Sequence, residues 1–256
     1  MLGAIIGDLS GSIYEFNQMK GIKRVKYENL IPFNSFYSDD TILTMAILDA
    51  YLNDKDYLNY LKKYIKKYKD YKPDYTPYFE YPFSPNTLKW GLSNDNKKGK
   101  SNGNGAMMRI SPIGYLSKTE EEVIENAYLA TIPSHDTKEA IDAAKIIALI
   151  IFYLRKGYSK EEVFEKLKLN PRYIPFERFN YTCNETIDNC LYSFYNSTSF
   201  EDSIKRTLAM GGDTDTNCAI VGSMAEALYG IDDATKEKVY EKLPDDFVKL
   251  LKKVYK

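Results

Sequence analysis

Four carboxylates occupy two short stretches that read as helix starts. Ser38-Asp39-Asp40-Thr41 precedes the apolar run Ile42 to Leu52. Gly211-Gly212-Asp213-Thr214-Asp215-Thr216 precedes a run of Ala, Ile, Val and Met that ends at Tyr229. Alternate Asp residues in a loop can converge on one hard cation, as alternate positions of a calcium loop do. An EF-hand is excluded, because its glycine and distal Glu are missing at the required spacing. Each stretch alone has an ordinary explanation. Asp, Ser and Thr are common N-caps, and a carboxylate near a helix start is favourable. One cap accounts for one residue, not for two Asp and two Thr behind paired Gly. If the two starts meet, Asp39, Asp40, Asp213 and Asp215 share one place and cannot all stay ionised without cations. Two divalent ions balance them. All-oxygen donors with hydroxyl help select Mg²⁺ or Mn²⁺ over zinc or copper. Two such ions can position and activate a water.

Three further clusters stand out. The N-terminal stretch Gly7-Asp8-Leu9-Ser10-Gly11-Ser12-Ile13-Tyr14-Glu15 carries an acidic residue after an apolar helix. The loop Asn102-Gly103-Asn104-Gly105-Ala106-Met107-Met108-Arg109 has the glycines that let backbone approach a ligand, although an ordinary turn uses the same residues. Ser134-His135-Asp136 holds the lone His.

Composition limits what these clusters can do. The chain has 256 residues, with 35 Lys+Arg against 36 Asp+Glu and one His. A single His excludes a zinc site built mainly on imidazole, so metal chemistry here is oxygen chemistry. A net charge of −1 argues against a nucleic-acid partner held by a basic face. Cys183, Cys190 and Cys218 form no C-x-x-C pair, the pattern of a reduced, intracellular chain, so a cytoplasmic protein is expected. Met1 to Leu9 lacks the basic region of a signal peptide. The longest apolar stretch, Ile146 to Leu154, is about half the length of a membrane helix, so no membrane partner is expected.

The positioning elements read as helices. Periodicity and capping signals predict Ile42–Leu52, Tyr57–Tyr68, Val123–Ala130 behind a capping box at Ser117-Lys118-Thr119-Glu120, and Lys138–Arg155 ended by Gly157. They also predict a helix from the Ser159 capping box to Leu169, then Glu201–Met210, Thr216–Tyr229 and Asp232–Tyr255. No period-two strand appears. Lys72–Gly91, with Pro73, Pro77, Pro82 and Pro85, and Asn94–Gly105 read as irregular. The expectation is one all-α domain over residues 1–256: compact, orthogonal, with a dinuclear metal site at helix N-termini.

Taken in order, the five clusters resemble the ADP-ribosylglycohydrolase family. Gly7-Asp8 to Glu15 looks like its opening G-D-x-x-G-x-x-x-E, and Ser38-Asp39-Asp40-Thr41 like T-D-D-T. Gly103 to Arg109 looks like G-N-G-A-x-M-R, Ser134-His135 like a T-H element, and Gly211 to Thr216 like G-G-D-T-D-T. The likeness spans residues 3 to 230. Gly222-Ser223-Met224-Ala225-Glu226-Ala227 departs from a more Gly-rich pattern, which bears on helix packing near the site.

The resemblance implies a hydrolase with two Mg²⁺ or Mn²⁺ ions that removes ADP-ribose from a modified arginine or serine, or from a related ester, through a metal-activated water. It makes Ser38, Asp39, Asp40, Asp213, Asp215 and Thr216 the metal ligands, with Asp215 a candidate to bridge. Glu15, Asp39 and Asp215 would carry catalysis. Gly103, Asn104, Gly105, Ala106, Met107 and His135 would bind substrate. The implied partner is an ADP-ribosylated protein or a small ADP-ribosyl compound, met by a monomer. Phe36, Tyr37 and Trp90 read first as core aromatics, with stacking on adenine or shaping of the acceptor mouth as the alternative. Two rival functions use the same residues: a two-metal phosphohydrolase of nucleotides, and a non-catalytic ADP-ribose-binding module.

Overall fold

The computed structural model describes residues 1–73 and 82–255. Helices are the regular elements of the described chain, joined by irregular segments. It runs α1 (Leu2–Gly11), α2 (Glu15–Met19), α3 (Asp39–Leu52), α4 (Tyr57–Tyr68), α5 (Pro85–Gly91), α6 (Gly105–Met108), α7 (Ser111–Leu116), α8 (Glu120–Thr131), α9 (Lys138–Arg155), α10 (Lys160–Lys166), α11 (Cys183–Tyr195), α12 (Phe200–Met210), α13 (Thr214–Tyr229), α14 (Asp233–Glu241) and α15 (Asp245–Leu251). Among the described residues strand pairing is limited to two isolated bridges, Lys100 with His135 and Gly103 with Thr182. The all-α expectation holds.

The centre is the pairing of α1 with α13. All ten residues of α1 are buried, and α13 is buried from Thr214 to Glu226. Helices apolar on every side belong in the middle. Their backbones touch because glycine recurs every fourth residue on α1. A Cβ added to Gly3, Gly7 or Gly11 would lie 2.1, 2.0 or 2.3 Å from the carbonyl oxygens of Gly222, Cys218 and Thr214. The partner numbers fall as the α1 numbers rise, so the helices are antiparallel. The end of α1 therefore meets the start of α13. The Gly222 segment keeps close packing after all, since Gly222 itself faces Gly3.

Around this pair, α9 packs on α13, α8 and α7, while α11 and α12 flank α13. The α3 helix lies against α1, α4 and α7. Local chemistry sets the ends. Ser159 with Glu162, and Thr182 with Glu185, form capping boxes, and Gly157 and Gly230 take positive φ behind α9 and α13.

Some boundaries differ from the sequence reading. The α8 cap is Thr119, not Ser117, and Glu122 reaches back to the Lys118 amide at 2.7 Å. Asp232–Tyr255 is two helices, because Pro244 cannot continue the first. Within Lys72–Gly91, Ser84 caps a helix that Pro85 opens, a position where proline loses nothing. Pro77 lies outside the described residues. The four-residue α6 interrupts the end of the Gly/Asn loop. No helix among the described residues is long and apolar enough to cross a membrane. All three cysteines are free and buried. Tyr37 stacks on Tyr71 with centroids 4.3 Å apart, Phe36 is buried, and Trp90 packs on the core.

Candidate active site

The two acidic helix starts meet. Thr216 Oγ1 donates to Asp40 Oδ2 at 3.3 Å, and Ser38 Oγ donates to the same oxygen at 3.2 Å. Asp215 Oδ1 accepts the Thr216 amide at 3.0 Å, but capping does not occupy Asp40 or Asp213. Ser38 Oγ accepts from the Asp40 amide and caps α3. Asp213 is the N-cap residue of α13, yet its side chain makes no capping bond. Glu15, first residue of α2, stands with them: Glu15, Asp213 and Asp215 each offer an oxygen, all within 4.8 Å of one another. These three could hold a metal ion.

Electrostatics follow from the crowding. Burial, with repulsion from Asp215 second, pushes Asp39 up to about 8 and Asp8 up to about 7. Burial takes Asp213 to about 6. Burial and neighbouring carboxylates hold Glu15, Asp40 and Asp215 well above the usual carboxylate range. Groups this close keep their charges only with cations among them. Among the described residues Asp40 Oδ1 is buried without a partner, an acceptor left open inside the cluster. The donor set is hard oxygen throughout, which suits Mg²⁺ or Mn²⁺.

The Gly/Asn loop touches the cluster through one amide. Asn104 Nδ2 donates to Asp213 Oδ2 at 2.7 Å. Asn180 supports the same Asp from behind, its Oδ1 accepting from the Asp213 amide at 2.8 Å. Within the loop, the amides of Gly103, Asn104, Ala106 and Met107 donate to Ser101 Oγ, Tyr181 O, Gly103 O and Asn104 O. Ala106 and Met107 side chains belong to the core. Gly105 opens α6 beside His135: Cβ atoms added to Gly103 and Gly105 would lie 3.5 and 3.6 Å from His135 Nε2. The structure thus links Ser38, Asp40 and Thr216 to one another, Asn104 to Asp213 beside Glu15 and Asp215, and His135 to Gly103 and Gly105, while Phe36, Tyr37 and Trp90 pack elsewhere in the core.

Asp8 and Asn180 escaped as site residues. Asp8 is fully buried at the foot of the cluster, where Asp215 is its strongest charged neighbour. Its signal was the Gly3, Gly7, Gly11 spacing, which fixes what lies beside α13. Asn180 has no local signal, since only the fold brings it 33 residues back to Asp213.

A family model described as ADP-ribosylglycohydrolase matches residues 1–256. The chain belongs to the ADP-ribosylglycohydrolase family. The ADP-ribosylarginine hydrolase Tri1 of Pseudomonas putida (strain GB-1) is 22% identical over 266 residues, covering 90% of this chain and 70% of that protein. Tri1 of Serratia proteamaculans (strain 568) is 24% identical over 165 residues, covering 58% of this chain and 45% of that one. The ADP-ribosyl-dinitrogen reductase glycohydrolase of Rhodospirillum rubrum is 27% identical over 143 residues, covering 51% and 47%. The matched region is thus less than half of the Serratia and Rhodospirillum proteins. A solved ADP-ribosylglycohydrolase-related protein complex shares the fold at a TM-score of 0.69 and 20% identity, covering 97% of this chain and 89% of that one.

Proposed function

We propose that this ADP-ribosylglycohydrolase family member is a metal-dependent hydrolase that releases ADP-ribose from a modified protein side chain, with arginine as the first candidate. One observation carries the reading. Asn104 joins the Gly/Asn loop directly to Asp213, so a ligand on that loop lies against the carboxylate cluster. The names of the Tri1 relatives supply arginine.

Glu15, Asp213 and Asp215 would hold one ion, and Ser38, Asp39, Asp40 and Thr216 would complete a second position beside it. When bound, divalent ions supply charge for the carboxylates and Lewis acidity toward ligand oxygens. The rest falls to the chain. Gly103 and Gly105 leave room for the pyrophosphate and ribose. Asn104 holds Asp213 toward the cluster. Glu15 and Asp39 are less deeply buried than Asp40, Asp213 and Asp215, and an oxygen of either that the ions leave free would take up the proton released by the attacking water. The negative oxygens around the anomeric carbon stabilise an oxocarbenium-like transition state. Carboxylates engaged by ions leave no free pair for the ordinary glycosidase scheme.

A panel of ADP-ribosylarginine protein, ADP-ribosylserine peptide and O-acetyl-ADP-ribose, each with Mg²⁺ and with Mn²⁺, tests the proposal. Release of intact ADP-ribose, abolished by EDTA, is expected. AMP as product would show a phosphohydrolase. Tight ADP-ribose binding with no product from any substrate would show a binding module.

A further inference from the structure

His135 is fixed by two neighbours whose roles the family motifs leave open. Ser134 Oγ lies 2.7 Å from His135 Nδ1. The Arg109 guanidinium, itself 2% exposed, reaches Ser134 Oγ through Nη2 at 2.6 Å. A guanidinium only donates, so Ser134 Oγ accepts there. Its single proton then has one acceptor among its described contacts, His135 Nδ1. The opposite arrangement, with Nδ1–H pointing at Ser134, would leave the buried hydroxyl proton without an acceptor, a costly state. Nδ1 therefore accepts, and a neutral ring carries its proton on Nε2. Burial, and then the Arg109 charge, keep the ring neutral by holding His135 well below the ordinary histidine range. Asp39 is the charge that most favours the Arg109 cation.

We infer that Arg109 and Ser134 are positioning residues that lock His135 as the Nε2–H tautomer and aim it at the Gly103–Gly105 loop as a neutral hydrogen-bond donor to oxygens of the bound ligand. Nε2 has no protein partner among the described residues and lies beside both glycines. The amides of Gly103, Asn104, Ala106 and Met107 already donate within the protein, so His135 adds a side-chain donor where most of the loop's own N–H groups are spent. His135 is thus not a general base: the nitrogen facing the ligand is already protonated. The ligand half of this inference rests on the loop being the ADP-ribose site, whereas the tautomer half does not.

The chain has one His, so its ring nitrogens give a single, self-assigned pair of resonances. In ¹⁵N-histidine-labelled protein, long-range ¹H–¹⁵N correlation is expected to show Nε2 protonated and Nδ1 bare. Ser134→Ala should give mixed tautomers, and Ser134→Thr should keep the wild-type form. A protonated Nδ1 in the wild type overturns the proposal without any variant. So does Ser134→Ala with the tautomer unchanged. Titration with ADP-ribose should move Nε2, and Ser134→Ala should weaken ADP-ribose binding by about tenfold, the scale of one net hydrogen bond. A ring that is Nε2–H but unmoved by bound ADP-ribose overturns the donor role. Failure of the ADP-ribose reading itself looks different: the ring is Nε2–H and ADP-ribose does not bind at all.

Discussion

The hydroxyl of Thr41 donates to Asp8 Oδ2 at 2.5 Å, and the amides of Ser38 and Thr41 donate to the same oxygen at 2.9 and 3.1 Å. One buried carboxylate on α1 thus pins the start of α3. Because α1 is itself locked to α13, Asp8 sets where Asp39 and Asp40 stand relative to Asp213 and Asp215.

Asp8→Ala leaves those donors without their acceptor. The expected loss is about 3 kcal/mol of stability, the scale of buried groups left unsatisfied. Asp8→Asn keeps an acceptor oxygen and should lose less. Urea unfolding of both variants, with Mg²⁺ affinity measured on the folded protein, checks the order. Equal stability of the two would refute the pinning role.

Gly7→Ala places a methyl 2.0 Å from the Cys218 carbonyl oxygen. Backbone must move, so the expected cost is about 3 kcal/mol, at the upper end of overpacking. Gly157→Ala is the comparator, since open space surrounds it and only its φ of +90° is strained. It should cost about 1 kcal/mol. Thermal melts read both, and a Gly7→Ala protein as stable as Gly157→Ala would show that the helices slide apart freely.

Glu15→Gln removes a charge from the group with Asp213 and Asp215 while keeping its shape. Binding of Mn²⁺ should weaken by about ten- to a hundredfold, the scale of changes at metal-site partners. The melting temperature in EDTA should not fall, because burial and the neighbouring carboxylates already favour an uncharged Glu15 there and Gln keeps its shape. Paired calorimetry and melts test this. Unchanged Mn²⁺ affinity would take Glu15 out of the cation site.

Chelation and pH should act together. Asp39, Asp8 and Asp213 titrate near 8, 7 and 6 in the folded, ion-free protein, against about 4 unfolded. Between those limits the folded state holds more protons. The stability these groups contribute is therefore full below about pH 4, falls as pH rises, and levels above about pH 8. Ions compete with those protons, so stabilisation by Mg²⁺ should be larger at about pH 8 than at about pH 5.5. At a hundred times its dissociation constant the ion should raise the melting temperature by roughly 5–10 °C. Equal shifts at both pH values would contradict the cluster's electrostatics.

Much was legible from local sequence. Tyr57–Tyr68 and Lys138–Arg155 have the expected bounds, because periodicity and capping are local properties. The errors at Ser117, Pro85 and Pro244 are also local: neighbouring hydroxyls compete for one cap, and proline both opens and divides helices. Asp39, Asp40, Asp213 and Asp215 were visible because a second carboxylate at a helix start exceeds what capping needs.

The sequence by itself determined the residue types: hard oxygen donors at helix starts, glycine where backbone must come close, one His in the whole chain. Only the tertiary structure decided which of them meet. Antiparallel packing of α1 on α13 brings Asp8 and Glu15 to Asp215, and the return of the chain at Asn180 fixes Asp213. It also decided that Arg109 reaches Ser134 and that Ser134 reaches the His135 ring. The physical reason is range. Capping and periodicity act over a few residues, whereas a charged cluster is made by side chains about 200 positions apart that only close backbone packing can hold together.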